Sequence, residues 1–155
     1  MVSSGCQQLS NKKETQQTSS VSLESMNQFY VGNSQDTQSL IHSYLPVKAN
    51  KTSVIMVPGL GLGANIYEST PDGRNGWIYD FLKADYPVYT VDTSDLASAG
   101  LSDSEANASL LNWDSKRIWC RWGLGYEPNK PYENGQFPTK SFDQFYASIP
   151  MRVKE

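Results

Sequence analysis

The chain has 155 residues and a formal net charge of −3. That is room for one domain of ordinary size, and so balanced a charge gives no reason to expect a nucleic-acid partner. No apolar run reaches the eighteen or so residues of a membrane-spanning helix, and two cysteines, Cys6 and Cys120, are too few for a disulfide framework.

Residues 1–25 hold thirteen Ser, Thr or Gln and no aromatic residue. Such a segment buries too little apolar surface to offset the entropy of ordering, so it reads as a disordered tail. Its start, Met1-Val2-Ser3-Ser4-Gly5-Cys6, has the small-residue-then-cysteine pattern of a lipidated cysteine, followed by a tether-like polar stretch. On that reading Cys6 carries a membrane lipid anchor, and the protein is a periplasmic or secreted lipoprotein. The basic and apolar regions of a signal peptide are missing, so either the true start lies upstream or the match is chance.

The ordered domain is expected over 26–155, with a sheet portion at 26–95. Order begins near Phe29-Tyr30-Val31, and Gly32-Asn33 marks a turn. The alternation from Leu40 to Leu45 predicts a strand ended by Pro46. His42 lies on it, at the sheet edge, and reads as a structural or surface residue rather than a general base. Val54-Ile55-Met56-Val57 is a continuous apolar run, the pattern of a parallel strand covered on both faces. Trp77, Ile78, Phe81 and Leu82 have helical spacing. Tyr86 to Val91 is a second apolar strand, ending at Asp92. The unit is strand, loop, helix, strand, which implies two parallel strands joined by a right-handed crossover.

The Ser-, Ala- and Gly-rich stretch 96–108 reads as a loop. Leu111, Ile118, Trp119 and Trp122 predict a helix within 109–122 that ends at Gly123 and packs Cys120. Residues 124–138 carry Pro128, Pro131, Gly135 and Pro138 and read as irregular. Phe142, Phe145, Tyr146 and Ile149 predict a short amphipathic helix, capped by Ser141 or Thr139.

The chemistry concentrates in Pro58-Gly59-Leu60-Gly61-Leu62-Gly63-Ala64, directly after the first apolar strand. Gly59, Gly61 and Ala64 fit a dinucleotide-binding turn, but that motif needs a helix to begin at once. Here Pro71 and the Asp72-Gly73 turn interrupt any such helix. The competing reading is an oxyanion loop, whose backbone N–H groups stabilise the negative oxygen of an acyl-transfer intermediate by roughly 3 kcal/mol per donor. The plain reading is a tight strand-to-loop turn that needs glycine.

The wider sequence bears on that choice. Gly59 to Trp77, with Y-E-S-T-P-D-G-R-N-G-W, resembles a group of α/β-hydrolase esterases of bacteria and fungi with the pattern H-G-x-x-x-T-G-x-x-W-E-T-T-P-D-G-R-x-G-W. Tyr86 to Asp92 matches that group's Y-x-V-Y-x-x-D strand. Ile118 to Gly123 resembles its W-x-x-F-R-x-G helix, and Gln136-Phe137-Pro138 through Phe145 its Q-F-P-x-x-x-F-D-Q-F segment. Pro58 replaces the family histidine, and Thr93 to Ala99 replaces a Gly-Arg-Gly-type turn.

The resemblance implies an α/β fold: the N-terminal, parallel-sheet part of an α/β-hydrolase, incomplete, with cap-like helices over 105–150. It implies backbone oxyanion donors at Leu60 and Gly61. Tyr67, Glu68, Trp119, Trp122 and Phe137 become pocket candidates, with Trp113 among the cap aromatics. Packing roles compete for each, and for Glu68 a salt bridge to Arg74 does. In relatives the nucleophile elbow follows the Q-F-P segment. These 155 residues contain no G-x-S-x-G, and Ser102 in Gly100-Leu101-Ser102-Asp103-Ser104 lacks the second glycine. No catalytic residue, cofactor or metal ligand is assigned. The expectation is a hydrolase fragment, inactive alone, that handles a small ester only when a C-terminal half completes it. Its open sheet edge favours self-association. The alternative is a non-catalytic binding or assembly protein that keeps the loop and uses the aromatic cap to hold a ligand.

Overall fold

The computed structural model describes residues 20–33, 38–59, 61–100, 102 and 108–153. Its largest element is a four-stranded mixed sheet. Strands β1 (Leu23–Val31) and β2 (Ser39–Pro46) pair antiparallel, with Gln28 opposite His42 and Tyr30 opposite Leu40. Strands β3 (Val54–Met56) and β4 (Val88–Asp92) run parallel, with Met56 beside Thr90. β4 also runs antiparallel to β2, so the order is β1-β2-β4-β3.

The expected parallel sheet is therefore confined to the β3–β4 pair. A short connection returns β2 against β1, and only β3 and β4 are joined through a helix long enough to keep the chain direction. β2 lies inside the sheet, so His42 is on an interior strand and not on the edge. The sheet also begins earlier than expected. Leu23 to Ser25, assigned to the tail, pair with Pro46 and Leu45. Backbone ladders need no apolar side chains, so composition did not reveal them. Residues 1–19, with Cys6, lie outside the described residues.

Side chains alternate across the sheet. Tyr44, Met56 and Val88 share one face and form a core with Ile78 and Leu82 of helix α1 (Ile78–Lys83). Ile78 and Leu82 stand one turn apart and take the buried stripe, while Trp77, just before the helix, is 69% exposed. The other face is more open. Ile55 is 68% exposed and Val57 56%, which corrects the expectation of a strand covered on both faces. β3 ends the sheet, and nothing among the described residues covers Ile55.

The C-terminal part has its own core. It comprises β5 (Leu110–Leu111), α2 (Ser115–Arg121), the hairpin β6 (Gly125–Glu127) and β7 (Lys130–Pro131), α3 (Phe142–Ser148) and β8 (Arg152–Val153). Ile118, Trp119, Leu124, Phe145 and Ile149 are buried together. Each such side chain stabilises by about 1.5–3 kcal/mol on burial. The helix predicted over 109–122 contracts to α2. Asp114 caps it by accepting the Arg117 N–H at 2.9 Å, and Leu110 and Leu111 pair instead with Val153 and Arg152. Gly123, at φ +60°, ends the helix as expected. Cys120 is exposed rather than packed.

The stretch read as irregular contains the β6–β7 hairpin, with Asn129 at φ +66° in its turn. α3 forms where its apolar spacing predicts, but neither Ser141 nor Thr139 caps it by side chain, because Thr139–Ser141 already coil as a 3-10 turn leading into it. Three contacts tie this part to the end of the sheet region. The Arg152 guanidinium meets Asp95 Oδ2 at 2.9 Å, Val153 N–H donates to the Asp95 carbonyl, and Ala97 N–H donates to the Met151 carbonyl.

Candidate functional site

The glycine-rich segment leaves β3 as a closed turn. Leu62 N–H donates to the Gly59 carbonyl at 3.0 Å, and Gly61 sits at φ +77°, a conformation that excludes most side chains. Leu60 lies outside the described residues. The cap closes over this turn. A Cβ at Gly61 would lie 3.7 Å from the Trp122 ring and 3.8 Å from the Trp113 ring. The two indoles are themselves in contact, with centroids 5.6 Å apart. Leu62 packs into the cap core. Sheet and cap therefore meet at the glycine turn.

Two carboxylates hold the segment that follows. At its start, Ala64 N–H donates to Asp92 Oδ1 at 2.6 Å in a buried bond. A Cβ on Gly63 would fall 2.8 Å from Asn65 Oδ1 and 3.2 Å from Asp92 Oδ1, so a side chain there would have to displace one or both of those groups. At its end, Glu68 Oε1 accepts the Tyr44 hydroxyl at 2.7 Å and lies 3.3 Å from His42 Nδ1. Burial, and then the Glu68 carboxylate, push the Tyr44 hydroxyl pKa well above the usual tyrosine value. Between these anchors, Ala64–Tyr67 coil as a 3-10 turn.

Tyr67 donates its hydroxyl to the Val57 carbonyl at 2.7 Å and packs against the sheet core, and burial raises its pKa too. Glu68 serves His42 and Tyr44 rather than Arg74. Arg74 Nε instead binds Asp72 Oδ2 at 2.9 Å, inside a tight turn where Thr70 Oγ1 also donates to Asp72. Those bonds, Thr70's first, hold Asp72 below the usual carboxylate range. The T-P-D-G-R string is thus a self-contained turn with Gly73 at φ +83°.

Of the pocket candidates, Trp122 reaches the glycine turn. Phe137 lies beside Phe145, with centroids 5.1 Å apart, and lines a cleft between residues 65–73 and α3. Trp119 is only 2% exposed and belongs to the cap core. Tyr67 and Glu68 are bound to the sheet. Asp92, which the sequence shows only as the end of a strand, emerges as a positioning residue; an acidic residue closing an apolar run is the signal it carries in sequence. No group of three His, Cys, Asp or Glu side chains that could hold a metal occurs among the described residues.

No family model matches the chain. A probable secreted lipase, phiG, of Fungal sp. (strain ATCC 74256) is 27% identical over an alignment of 135 positions, covering 77% of this chain and 35% of the lipase. In sequence the chain is thus similar to part of a lipase. A solved structure described as a novel bacterial esterase superimposes with a TM-score of 0.74 at 18% identity, over 86% of this chain and 52% of that one. This chain thus spans about a third of the lipase and about half of the esterase. What it shares with the esterase is the fold of that portion: a mixed sheet with few helices.

Proposed function

We propose that this chain is the N-terminal part of an α/β-hydrolase that cleaves carboxylic esters, and that its share of the active site is the oxyanion loop. The observation that carries this is the position of Gly61. Its turn is closed by the Leu62 N–H, so that closing bond does not use the Gly61 N–H. The Trp113–Trp122 pair adds an apolar wall beside it. A low-dielectric wall strengthens a hydrogen bond to a developing oxyanion, because less water competes for either partner. Leu60, the adjoining residue of the turn, is the second donor by resemblance.

Asp92 and Glu68 act here as positioning residues. They fasten the two ends of segment 64–68, so the turn before it keeps one geometry. Such preorganisation is what an oxyanion site needs, since donors that must reorient lose most of their advantage. The nucleophile and its histidine are supplied outside these 155 residues. His42 is not assigned as that histidine: it has a carboxylate at Nδ1, as a triad histidine does, but its Nε2, the atom that would meet a serine, is buried.

The test has two parts. The purified 155-residue chain should neither hydrolyse p-nitrophenyl butyrate nor react with a fluorophosphonate serine probe. A polypeptide joining it to the coding sequence that follows Glu155 should do both, through a serine in a G-x-S-x-G-type elbow. Serine-dependent turnover by the 155 residues alone, or a joined polypeptide with neither elbow nor activity, would overturn the proposal.

A further inference from the structure

A cleft of about 390 Å³ opens between the loop after the glycine turn and helix α3. Asn65, Ser69 and Thr70 line one side, and Phe137, Gln144 and Phe145 the other. Its volume falls in the range of small-molecule sites, which are typically apolar with a few placed polar groups. Phe145 is buried and meets Phe137 edge to face, so the apolar wall is rigid.

The lining includes no Asp, Glu, Lys, Arg or His. The nearby Asp72 and Arg74 are bound to each other. A charged ligand entering this cleft would lose water and gain no opposite charge from the lining. The amides of Asn65 and Gln144 and the hydroxyls of Ser69 and Thr70 instead offer neutral donors and acceptors.

The cleft is coupled to the turn through two routes. Phe145 contacts Trp122 edge to face at 6.1 Å, and Trp122 covers Gly61. Asn65 lines the cleft, while its Oδ1 lies close to the place a Gly63 side chain would occupy. A ligand here therefore sits two aromatic rings, Phe145 and Trp122, from Gly61.

We infer that this cleft binds an uncharged small molecule with an apolar body and ester or hydroxyl oxygens. That the ligand is the ester substrate or its alcohol product rests on the proposed function. That it is uncharged rests on the lining alone.

The experiment is a titration of the isotopically labelled 155-residue chain, read by amide chemical shifts. The probes are glyceryl triacetate, sodium butyrate and acetylcholine: a neutral ester, an anion and a cationic ester. Glyceryl triacetate should cause saturable shifts at Asn65, Ser69, Gln144 and Phe145, and each charged probe should bind at least about ten-fold more weakly. Ser69→Trp and Gln144→Trp fill the cleft from opposite sides at exposed positions, and each should weaken binding by about ten-fold or more while circular dichroism stays unchanged. Absence of saturable shifts, equal binding of a charged probe, or full binding by both folded variants would overturn the inference. Binding of glyceryl triacetate by the chain with no esterase activity in the joined polypeptide would sink the ester reading alone. Activity in the joined polypeptide without shifts at the cleft would sink the cleft alone.

Discussion

Asp92 Oδ1 accepts the Ala64 backbone N–H at 2.6 Å, joining the last residue of β4 to the segment that leaves the glycine turn. The two residues are 28 positions apart, and the bond is buried. A charged acceptor in such a place makes a short, strong hydrogen bond, and its loss leaves a buried N–H without its partner.

Asp92→Ala should therefore lower the unfolding free energy by about 2–3 kcal/mol. Asp92→Asn keeps an acceptor of the same shape and should lose about half as much. Urea denaturation of the three proteins checks this. Equal losses for Ala and Asn would show that the carboxylate charge matters and the acceptor geometry does not.

Tyr44 and Tyr67 give the chain an alkaline limit. Both hydroxyls have raised pKa values in the folded state, so above about pH 10 the unfolded chain releases protons that the folded chain retains. The unfolded state then binds fewer protons, and stability must fall as pH rises. Their contribution is complete below about pH 9 and declines from about pH 10 upward. Tyr44→Phe should cost about 1 kcal/mol at neutral pH, through the lost bond to Glu68, and should flatten part of the alkaline decline. Thermal melts between pH 7 and pH 11 would show an unchanged slope if Tyr44 contributes nothing.

Gly76 and Gly73 lie close together in sequence but should respond differently to alanine. A Cβ on Gly76 would collide with the Tyr67 carbonyl, and its next contacts are backbone atoms at 2.5 and 2.6 Å. Gly73 has φ +83° but open space around its Cβ position. Gly76→Ala should destabilise by about 3 kcal/mol or more, and Gly73→Ala by about 1–2 kcal/mol. Denaturant midpoints in the reverse order would contradict the packing around residues 67–76.

The exposed side chains of β3 and of Val57, just after it, carry an association prediction. Ile55 and Val57 present apolar surface beside a strand that pairs only with β4 among the described residues. Such an edge favours pairing between chains. Light scattering should show apparent mass rising with concentration, and Ile55→Lys with Val57→Lys should suppress the rise without loss of circular dichroism. A concentration-independent monomer in the parent chain would remove the basis for it.

Much of this organisation was legible in the residues. The apolar runs at Val54 and Tyr86 located the two parallel strands, and Ile78 and Leu82 located the helix between them. The spacing of Phe142, Phe145 and Tyr146 located α3, and Gly123 the end of α2. Local periodicity carries that information because a residue's side is fixed by strand or helix geometry alone. α2 starts at the Asp114 cap and not at Leu111, because Leu110 and Leu111 pair as a strand with Val153 and Arg152 despite their helical spacing.

What periodicity could not supply was the partner of each side chain. Glu68 had Arg74 nearby in sequence, yet it binds His42 and Tyr44, because the fold brings β2 beneath it. Read as sequence, the chain determined where strands, turns and helices form, and that Gly59 to Ala64 makes a turn after a strand. The tertiary structure alone decided that β2 lies inside the sheet, that Asp92 holds Ala64, and that Trp113 and Trp122 cover Gly61. The reason is that local conformation depends on near neighbours, whereas contacts between distant residues depend on how the sheet and the cap pack together.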